Sequence, residues 1–193
     1  SEMCIRDRIG YTPAAADGVH RGGSMVMLNE QETQWKQTYF KEGGITRVSL
    51  EWQGREYDIA SIYAPSNSSK RLDFFSHLAQ RLTKHTIAGG DWNCVPDVTL
   101  DVQSRNPLNY SNAGAEILAQ HMQKAELTDI HREFLGVKHC PTRKEGSTAT
   151  RLDRWYVPVD GVHEDTLWSV QVRDDLVWSE KPSDHSLVLL TLE

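Results

Sequence analysis

Hydrophobic residues along this chain change from a period of two to a helical period and then back again. In "EYDIASIYAP", every second residue from Tyr57 to Tyr63 lies on one face, which is typical of a strand. In "KRLDFFSHLAQRLTKH", apolar residues from Leu72 to Leu82 recur at helical spacing, which predicts a helix packed on a sheet. The same patterns predict strands over 22–28, 45–52, 56–65, 86–90, 151–158, 166–172 and 186–193, and helices over 70–85 and 113–127.

The order of these elements predicts the fold class. Strands come first, helices follow and strands end the chain without strict β-α-β alternation, so we expect an α+β layered domain. A length of 193 residues with 38% hydrophobic content fits one globular domain. The first eight residues, "SEMCIRDR", resemble the translated product of a sequencing adaptor. We therefore treat 1–8 as a non-native segment and assign 9–193 to a single domain.

Charge and hydropathy narrow the classes of function. The formal net charge of -6 argues against a protein that holds nucleic acid mainly by bulk attraction to phosphates, so phosphate chemistry would need local cations or a metal. No apolar run is long enough to span a bilayer, and the N-terminus lacks a secretory pattern, so we expect no membrane partner and an intracellular domain. The three cysteines are too few and too scattered for a disulfide framework or a zinc site.

Polar side chains follow several of the predicted strands. Asp91 and Asn93 come directly after "TIAGG", Tyr63 ends the strand "EYDIASIY", and Asp153 and His185 lie at the starts of late strands. Carboxylate, amide, phenol and imidazole groups together are the parts of a hydrolytic active site. The alternative for each residue taken alone is ordinary turn chemistry, because Asp, Asn and Gly cluster at turns for backbone reasons.

Four motifs carry a family resemblance. In chain order, "IYAPSN", "GGDWN", "RLDRWYV" and "SDHSLV" resemble the endonuclease/exonuclease/phosphatase superfamily, and "GGDWNCVPDVTLD" resembles the endonuclease domain of non-LTR retrotransposons. The resemblance covers roughly 22–193. It implies a DNase I-like four-layer α/β/β/α sandwich and phosphodiester hydrolysis that depends on Mg²⁺, with Mn²⁺ as a substitute. It also implies DNA as the partner, a reverse-transcriptase domain C-terminal in the same polyprotein and a nuclear location for the parent protein.

The resemblance also implies a role for each site residue. Asp91 corresponds to the aspartate that orients the attacking water, and Asn93 to an asparagine at the phosphate. His185 corresponds to the histidine that contacts the scissile phosphate and is held by Asp153, and an opposite charge nearby would favour its charged form. Further expected roles are a phosphate hydrogen bond from Tyr63, phosphate or DNA contacts from Ser66, Asn67 and Arg151, and a metal contact from Asp184.

One part of the family pattern is missing. Members carry a metal-binding glutamate after an early strand that should precede "GGSMVML", where this chain has only a short segment. Glu32, in "QET", lies after that strand, so we interpret it as a charged loop residue. We therefore expect a domain that lacks its first one or two strands and its main metal ligand, with weak or absent catalysis by this chain.

Three functions stay open from the sequence. The first is a DNA endonuclease domain that nicks target DNA. The second is a phosphatase or phosphodiesterase of the same superfamily, and the third is a catalytically dead fragment that acts only as a binding module. The basic side chains near the motifs would line a DNA groove or form a solvated face; they are Arg143, Lys144, Arg151 and Arg154.

The two glycines before Asp91 and the tryptophan after it complete this motif. We expect Gly89 and Gly90 to leave space for a phosphate to approach the backbone closely. Trp92 could stack on a base, but its position after an apolar strand favours packing in the core.

Overall fold

The structure is a computed structural model that describes residues 7–11, 24–28, 34–36, 44–52, 54–163, 168–173 and 183–192. Its strands are β1 (Asp7–Tyr11), β2 (Met25–Leu28), β3 (Gln34–Lys36), β4 (Ile45–Trp52), β5 (Arg55–Tyr63), β6 (Thr86–Asp91), β7 (Val102–Gln103), β8 (Leu127–Asp129), β9 (Arg143–Glu145), β10 (Thr148–Thr150), β11 (Asp153–Pro158), β12 (Trp168–Arg173) and β13 (Leu187–Leu192). Its helices are α1 (Ser68–Leu78), α2 (Val98–Asp101), α3 (Ala115–Lys124), α4 (Ile130–Leu135) and α5 (Val159–His163). The first strand begins at Asp7, inside the segment excluded from the predicted domain, and the domain division stays a prediction.

A six-stranded sheet in the order β3-β4-β5-β6-β11-β8 lies at the centre of the fold. β5 and β6 are parallel, and every other neighbouring pair in this sheet is antiparallel. Parallel neighbours need a crossover, which α1 supplies between β5 and β6. As a result, the ends of β5 and β6 and the start of β11 meet at the same end of the sheet.

The helices α1 and α3 cover one face of this sheet. Phe75 and Leu78 of α1 and Leu118 and Met122 of α3 are buried in one apolar cluster with Trp92. The indole of Trp92 is fully buried and its Nε1 donates a hydrogen bond to the backbone oxygen of a residue in β11. The core position expected for Trp92 is therefore confirmed.

Smaller antiparallel pairs of strands lie against the opposite face. Trp168 of β12 is buried with Ile87 of β6 and Val157 of β11, while Val26 of β2 packs against Val48 of β4. The alternation that predicted these strands thus places apolar side chains against the central sheet. The predicted α+β class is confirmed.

Helix α1 begins at its N-cap residue, Asn67, whose side-chain oxygen accepts a hydrogen bond from the backbone N–H of Lys70 at 3.1 Å. It ends at Leu78, before the predicted end at 85, because the backbone N–H groups of Gln80 and Arg81 bond three residues back and tighten the last turn. The chain then turns directly into β6.

The two glycines at the end of β6 make room for neighbouring parts of the protein. A Cβ atom on Gly89 would overlap the ring of Trp155, and one on Gly90 would overlap the backbone oxygen of Ile62. Gly90 also has a φ of +142°, which side chains disfavour. Internal packing explains both glycines, so the expected close approach of a phosphate is not needed to account for them.

Among the described residues, no helix combines the length and the apolar character that a membrane crossing requires.

Candidate active site

Asp153 and His185 form a hydrogen-bonded pair at the end of the central sheet. The Nδ1 atom of His185 donates to Oδ2 of Asp153 at 2.9 Å, although the two residues are 32 positions apart in the chain. This hydrogen bond and the charge of Asp153 raise the pKa of His185 above its ordinary value, while partial burial opposes the rise. The arrangement therefore favours a positively charged imidazole, as the sequence predicted.

Asp91 lies directly beside this pair. It is the register partner of Asp153 across β6 and β11, and the register partner of Tyr63 across β6 and β5. Burial and the charge of Asp153 raise the pKa of Asp91 above the ordinary value of an aspartate. A carboxylate with a raised pKa accepts a proton more readily, which suits a group that orients and activates a water molecule.

Asn93 holds the carboxylate of Asp91 in place. Its backbone N–H donates to Oδ1 of Asp91 at 2.9 Å, and its side-chain Nδ2 donates to Oδ2 of Asp91 at 2.9 Å. A spacing of two predicts that both side chains point the same way from an extended strand, but the two side chains meet here for a different reason. β6 ends at Asp91, and Asn93 has a φ of +48°, so the contact comes from a left-handed turn rather than from alternation along an extended strand.

Thr142 also contacts the pair, and no sequence pattern singled it out. Its hydroxyl donates to Oδ2 of Asp153 at 2.7 Å and accepts the backbone N–H of Asp153 at 2.9 Å. Its backbone oxygen accepts the N–H of Ser186, the residue after the histidine, at 2.7 Å. Thr142 thus connects the carboxylate to the segment that carries His185. A lone threonine before a three-residue strand carries no signal by which it could have been found.

The phenol and the loop after β5 are placed differently. Tyr63 ends β5 beside Asp91 and is 38% exposed, so its hydroxyl is accessible to a ligand at this end of the sheet. Asn67 caps α1, and the backbone oxygen of Ser66 accepts a hydrogen bond from Arg71 at 2.9 Å. These contacts order the start of α1, and the phosphate roles of Ser66 and Asn67 stay predictions.

Asp184 is held by an arginine. The Nε atom of Arg143 donates to Oδ2 of Asp184 at 2.8 Å, and the backbone N–H of Lys144 donates to the backbone oxygen of Asp184 at 2.9 Å. Although partial burial opposes it, the hydrogen bond and charge of Arg143 lower the pKa of Asp184 below its ordinary value. The carboxylate of Asp184, the predicted metal contact, is therefore already paired with the cation of Arg143.

The site residues do not by themselves fit a Mg²⁺ ion. Within the described part of the chain, no three His, Cys, Asp or Glu side chains are arranged to hold a metal. The oxygens of Asp91, Asp153 and Asp184 accept hydrogen bonds from Asn93, His185 and Arg143 respectively. Glu32 lies outside the described residues, and its interpretation as a loop residue stays a prediction.

The expected DNA contact from Arg151 is wrong. Its side chain is fully buried, donating from Nε to Oδ1 of Asp101 at 2.6 Å and from Nη2 to Oδ2 of Asp129 at 2.7 Å. A guanidinium enclosed by two carboxylates has a structural role and is not accessible to a phosphate. Arg154 is also buried, donating to the backbone oxygen of Cys94 at 2.6 Å, so it does not line a groove either.

The Asp153–His185 hydrogen bond predicts a pKa change that can be measured without a catalytic assay. Replacing Asp153 with asparagine is expected to lower the pKa of His185, because a neutral amide replaces the charged hydrogen-bond acceptor that raises it, while the burial remains. The measurement is an NMR titration of the imidazole signals, with His185→Gln identifying its resonance among the eight histidines. An unchanged pKa would show that the pair is not formed in solution.

Sequence comparison relates the chain to a transposon protein. No protein-family model matches it. The Transposon TX1 uncharacterized 149 kDa protein of Xenopus laevis is 25% identical over 124 residues, which cover 60% of this chain. The match spans only 9% of the length of that relative.

Structure comparison relates the fold to three nucleic-acid proteins. The endonuclease domain of TRAS1, a telomere-specific non-LTR retrotransposon, has a TM-score of 0.66 at 16% identity, over 95% of this chain and 76% of its own. AP endonuclease LMAP from Leishmania major has a TM-score of 0.61 at 14% identity, over 79% of this chain and 55% of its own. D. rerio TDP2 complexed with single strand DNA product has a TM-score of 0.57 at 14% identity, over 91% of this chain and 75% of its own. The chain therefore has the same DNase I-like α+β fold as these solved structures, which is the fold that the sequence resemblance predicted.

Proposed function

We propose that the chain is an endonuclease domain of a retrotransposon-type protein that hydrolyses phosphodiester bonds and nicks target DNA. The observation that carries this proposal is the hydrogen-bonded Asp153–His185 pair beside the carboxylate of Asp91 at one end of the sheet. The fold supports it, because TRAS1 supplies an endonuclease domain of the same fold. The similarity to a transposon protein supports the retrotransposon origin.

Each side chain of the site would have a different role in phosphodiester hydrolysis. His185, charged through its pair with Asp153, would neutralise the negative charge that develops on the phosphoryl oxygens. Asp91 would orient the attacking water and accept its proton. Both oxygens of Asp91 already accept hydrogen bonds from Asn93, but each carboxylate oxygen has a second lone pair that remains for water. Tyr63, exposed beside Asp91, would donate a hydrogen bond to the phosphate.

The activity is proposed to depend on Mg²⁺, with Mn²⁺ as a substitute. A hard divalent ion supplies charge neutralisation at the phosphate and at the leaving oxygen, and it prefers carboxylate oxygens. Asp184 is the described residue that would contact the ion, provided that it leaves Arg143.

The partner and the context of the protein are proposals as well. DNA is the proposed substrate, and a reverse-transcriptase domain in the same polyprotein is the proposed neighbour, with the nucleus as the site of action. The length of the TX1 protein supports a polyprotein, because the matched region is 9% of it. A reverse-transcriptase sequence downstream in the same reading frame would support this context, and its absence would contradict it.

The proposed activity predicts metal-dependent nicking of supercoiled plasmid. Open-circular product is expected with Mg²⁺ or Mn²⁺ and should fall to background in EDTA, because the protein carboxylates alone leave the phosphate charge uncompensated.

A parallel assay of phosphate release from an inositol polyphosphate separates the two enzyme classes. Phosphate release without nicking would contradict the endonuclease and favour a phosphatase of the same fold. Absence of metal-dependent nicking by the folded chain would contradict the nuclease proposal altogether.

A further inference from the structure

Arg143 is a partly exposed cation at the edge of the candidate active site. Of the four basic residues that the sequence places near the motifs, Arg151 and Arg154 are buried, while Arg143 and Lys144 lie on β9. The backbone of Arg143 forms an isolated antiparallel bridge with His185. The bridge places the backbone of Arg143 directly opposite His185, the residue proposed to contact the scissile phosphate.

The contacts of Arg143 are of a kind that water and ligands can replace. Its Nε donates to Asp184 at 2.8 Å and its Nη2 lies 3.0 Å from Oε2 of Glu145. The side chains are 29% exposed for Arg143, 50% for Asp184 and 72% for Glu145. Ion pairs exposed to this degree contribute little to stability, because water screens their charges. Each carboxylate is contacted through one nitrogen of Arg143, so neither uses the parallel two-bond geometry that the guanidinium fork allows.

The negative charge around the site explains why a cation at its edge would favour DNA binding. Asp91, Asp153 and Asp184 place three carboxylates near the position of the phosphate, and the whole chain has a formal net charge of -6. Burial lowers the pKa of Arg143, whereas the hydrogen bond to Asp184 and the charges of Glu145, Asp184 and, to the smallest extent, Asp91 raise it. An approaching DNA strand therefore meets a negative surface unless a local cation compensates it.

We propose that Arg143 binds a backbone phosphate of the DNA substrate and that this phosphate displaces the carboxylate of Asp184 from the guanidinium. The inference rests on the proposed nuclease function and adds a specific binding residue to it. A phosphate offers two oxygens to the fork of an arginine, whereas Asp184 contacts it through one nitrogen, so the exchange gains a bidentate contact. Asp184 thus occupies Arg143 in the free protein, and the DNA phosphate must displace it in order to bind.

The test measures DNA binding without catalysis. Fluorescence anisotropy of a labelled duplex, in EDTA and at low salt, gives the dissociation constant for each variant. Arg143→Ala is expected to weaken DNA binding by about tenfold, because one phosphate contact is lost. For the same reason, the magnitude of the slope of the log association constant against log salt concentration should fall by about 1. Arg143→Lys should bind DNA with an affinity between those of Arg143→Ala and the unmodified protein, because lysine keeps the positive charge but lacks the guanidinium fork. Lys84→Ala, an exposed cation just before the start of β6, is the matched control and should bind like the unmodified protein.

A double-variant cycle isolates the exchange with Asp184. Asp184→Asn should strengthen binding several-fold by releasing Arg143, and this gain should vanish in the Arg143→Ala background. A gain that persists without Arg143 would show that Asp184 acts only by general repulsion and would overturn the exchange. Unchanged binding by Arg143→Ala would overturn the phosphate contact while leaving the nicking assay to decide the proposed function. Absence of duplex binding by every folded variant would contradict both.

Discussion

Replacing His185 with alanine is expected to lower the rate of plasmid nicking by at least about 100-fold, the usual effect of removing one group that stabilises developing charge. The imidazole is held at 2.9 Å by Asp153 and its pKa is raised, so at neutral pH it presents a positive charge beside Asp91. Alanine removes this charge and leaves Asp153 without its partner. The loss should therefore be in the rate at saturating DNA, measured as single-turnover conversion of supercoiled plasmid.

The matched control for this variant is His85→Ala. His85 is exposed and lies just before β6 begins, whereas His185 lies at the end of the sheet where β6 ends, so the control should nick at the unmodified rate. The pH profile gives a second readout. Activity that needs a charged His185 should fall as pH rises through the raised pKa of this residue. Equal rates for the two alanine variants would show that the imidazole of His185 takes no part in the reaction.

The long, regular elements of this fold could be predicted because each one has a clear hydrophobic period. The strand predicted over 45–52 is β4, since alternation across eight residues fits only a half-buried strand. The predicted helix over 70–85 is shorter in the structure because the backbone N–H groups of Gln80 and Arg81 bond three residues back and close its last turn. Short elements such as β9 and α4 were missed, since three to six residues contain too little of any period to be recognised.

The site could be predicted only where its parts are contiguous or carried by the family motifs. Asp91 and Asn93 stand together in one turn, while Asp153 and His185 were paired through the resemblance. Thr142 could not be predicted, because its role depends on how a loop returns to β11. The error over Arg151 has the same origin: its partners Asp101 and Asp129 lie 50 and 22 positions away, and nothing local in the sequence shows that they enclose it.

Arg151 is accordingly expected to be essential for stability rather than for DNA binding. Arg151→Ala should lower the free energy of unfolding by about 3–5 kcal/mol, because it leaves the buried carboxylates of Asp101 and Asp129 without their main cation. Arg132, which also contacts Asp101, compensates only one of them. The measurement is urea unfolding followed by tryptophan fluorescence. Arg105→Ala, an exposed cation, should change the unfolding free energy by less than about 0.5 kcal/mol.

The pH dependence of this loss distinguishes uncompensated charge from poor packing. Although burial opposes it, the charge and hydrogen bonds of Arg151 lower the pKa of Asp129, so the stability that the pair contributes is present above the ordinary aspartate pKa of about 4 and is lost as pH falls below it. In Arg151→Ala, protonation of Asp129 removes the buried charge that the missing guanidinium no longer balances. The difference in unfolding free energy between the two proteins should therefore shrink as pH falls below about 4. A difference that stays constant with pH would assign the loss to the cavity left by the side chain, and not to the buried charges of Asp101 and Asp129.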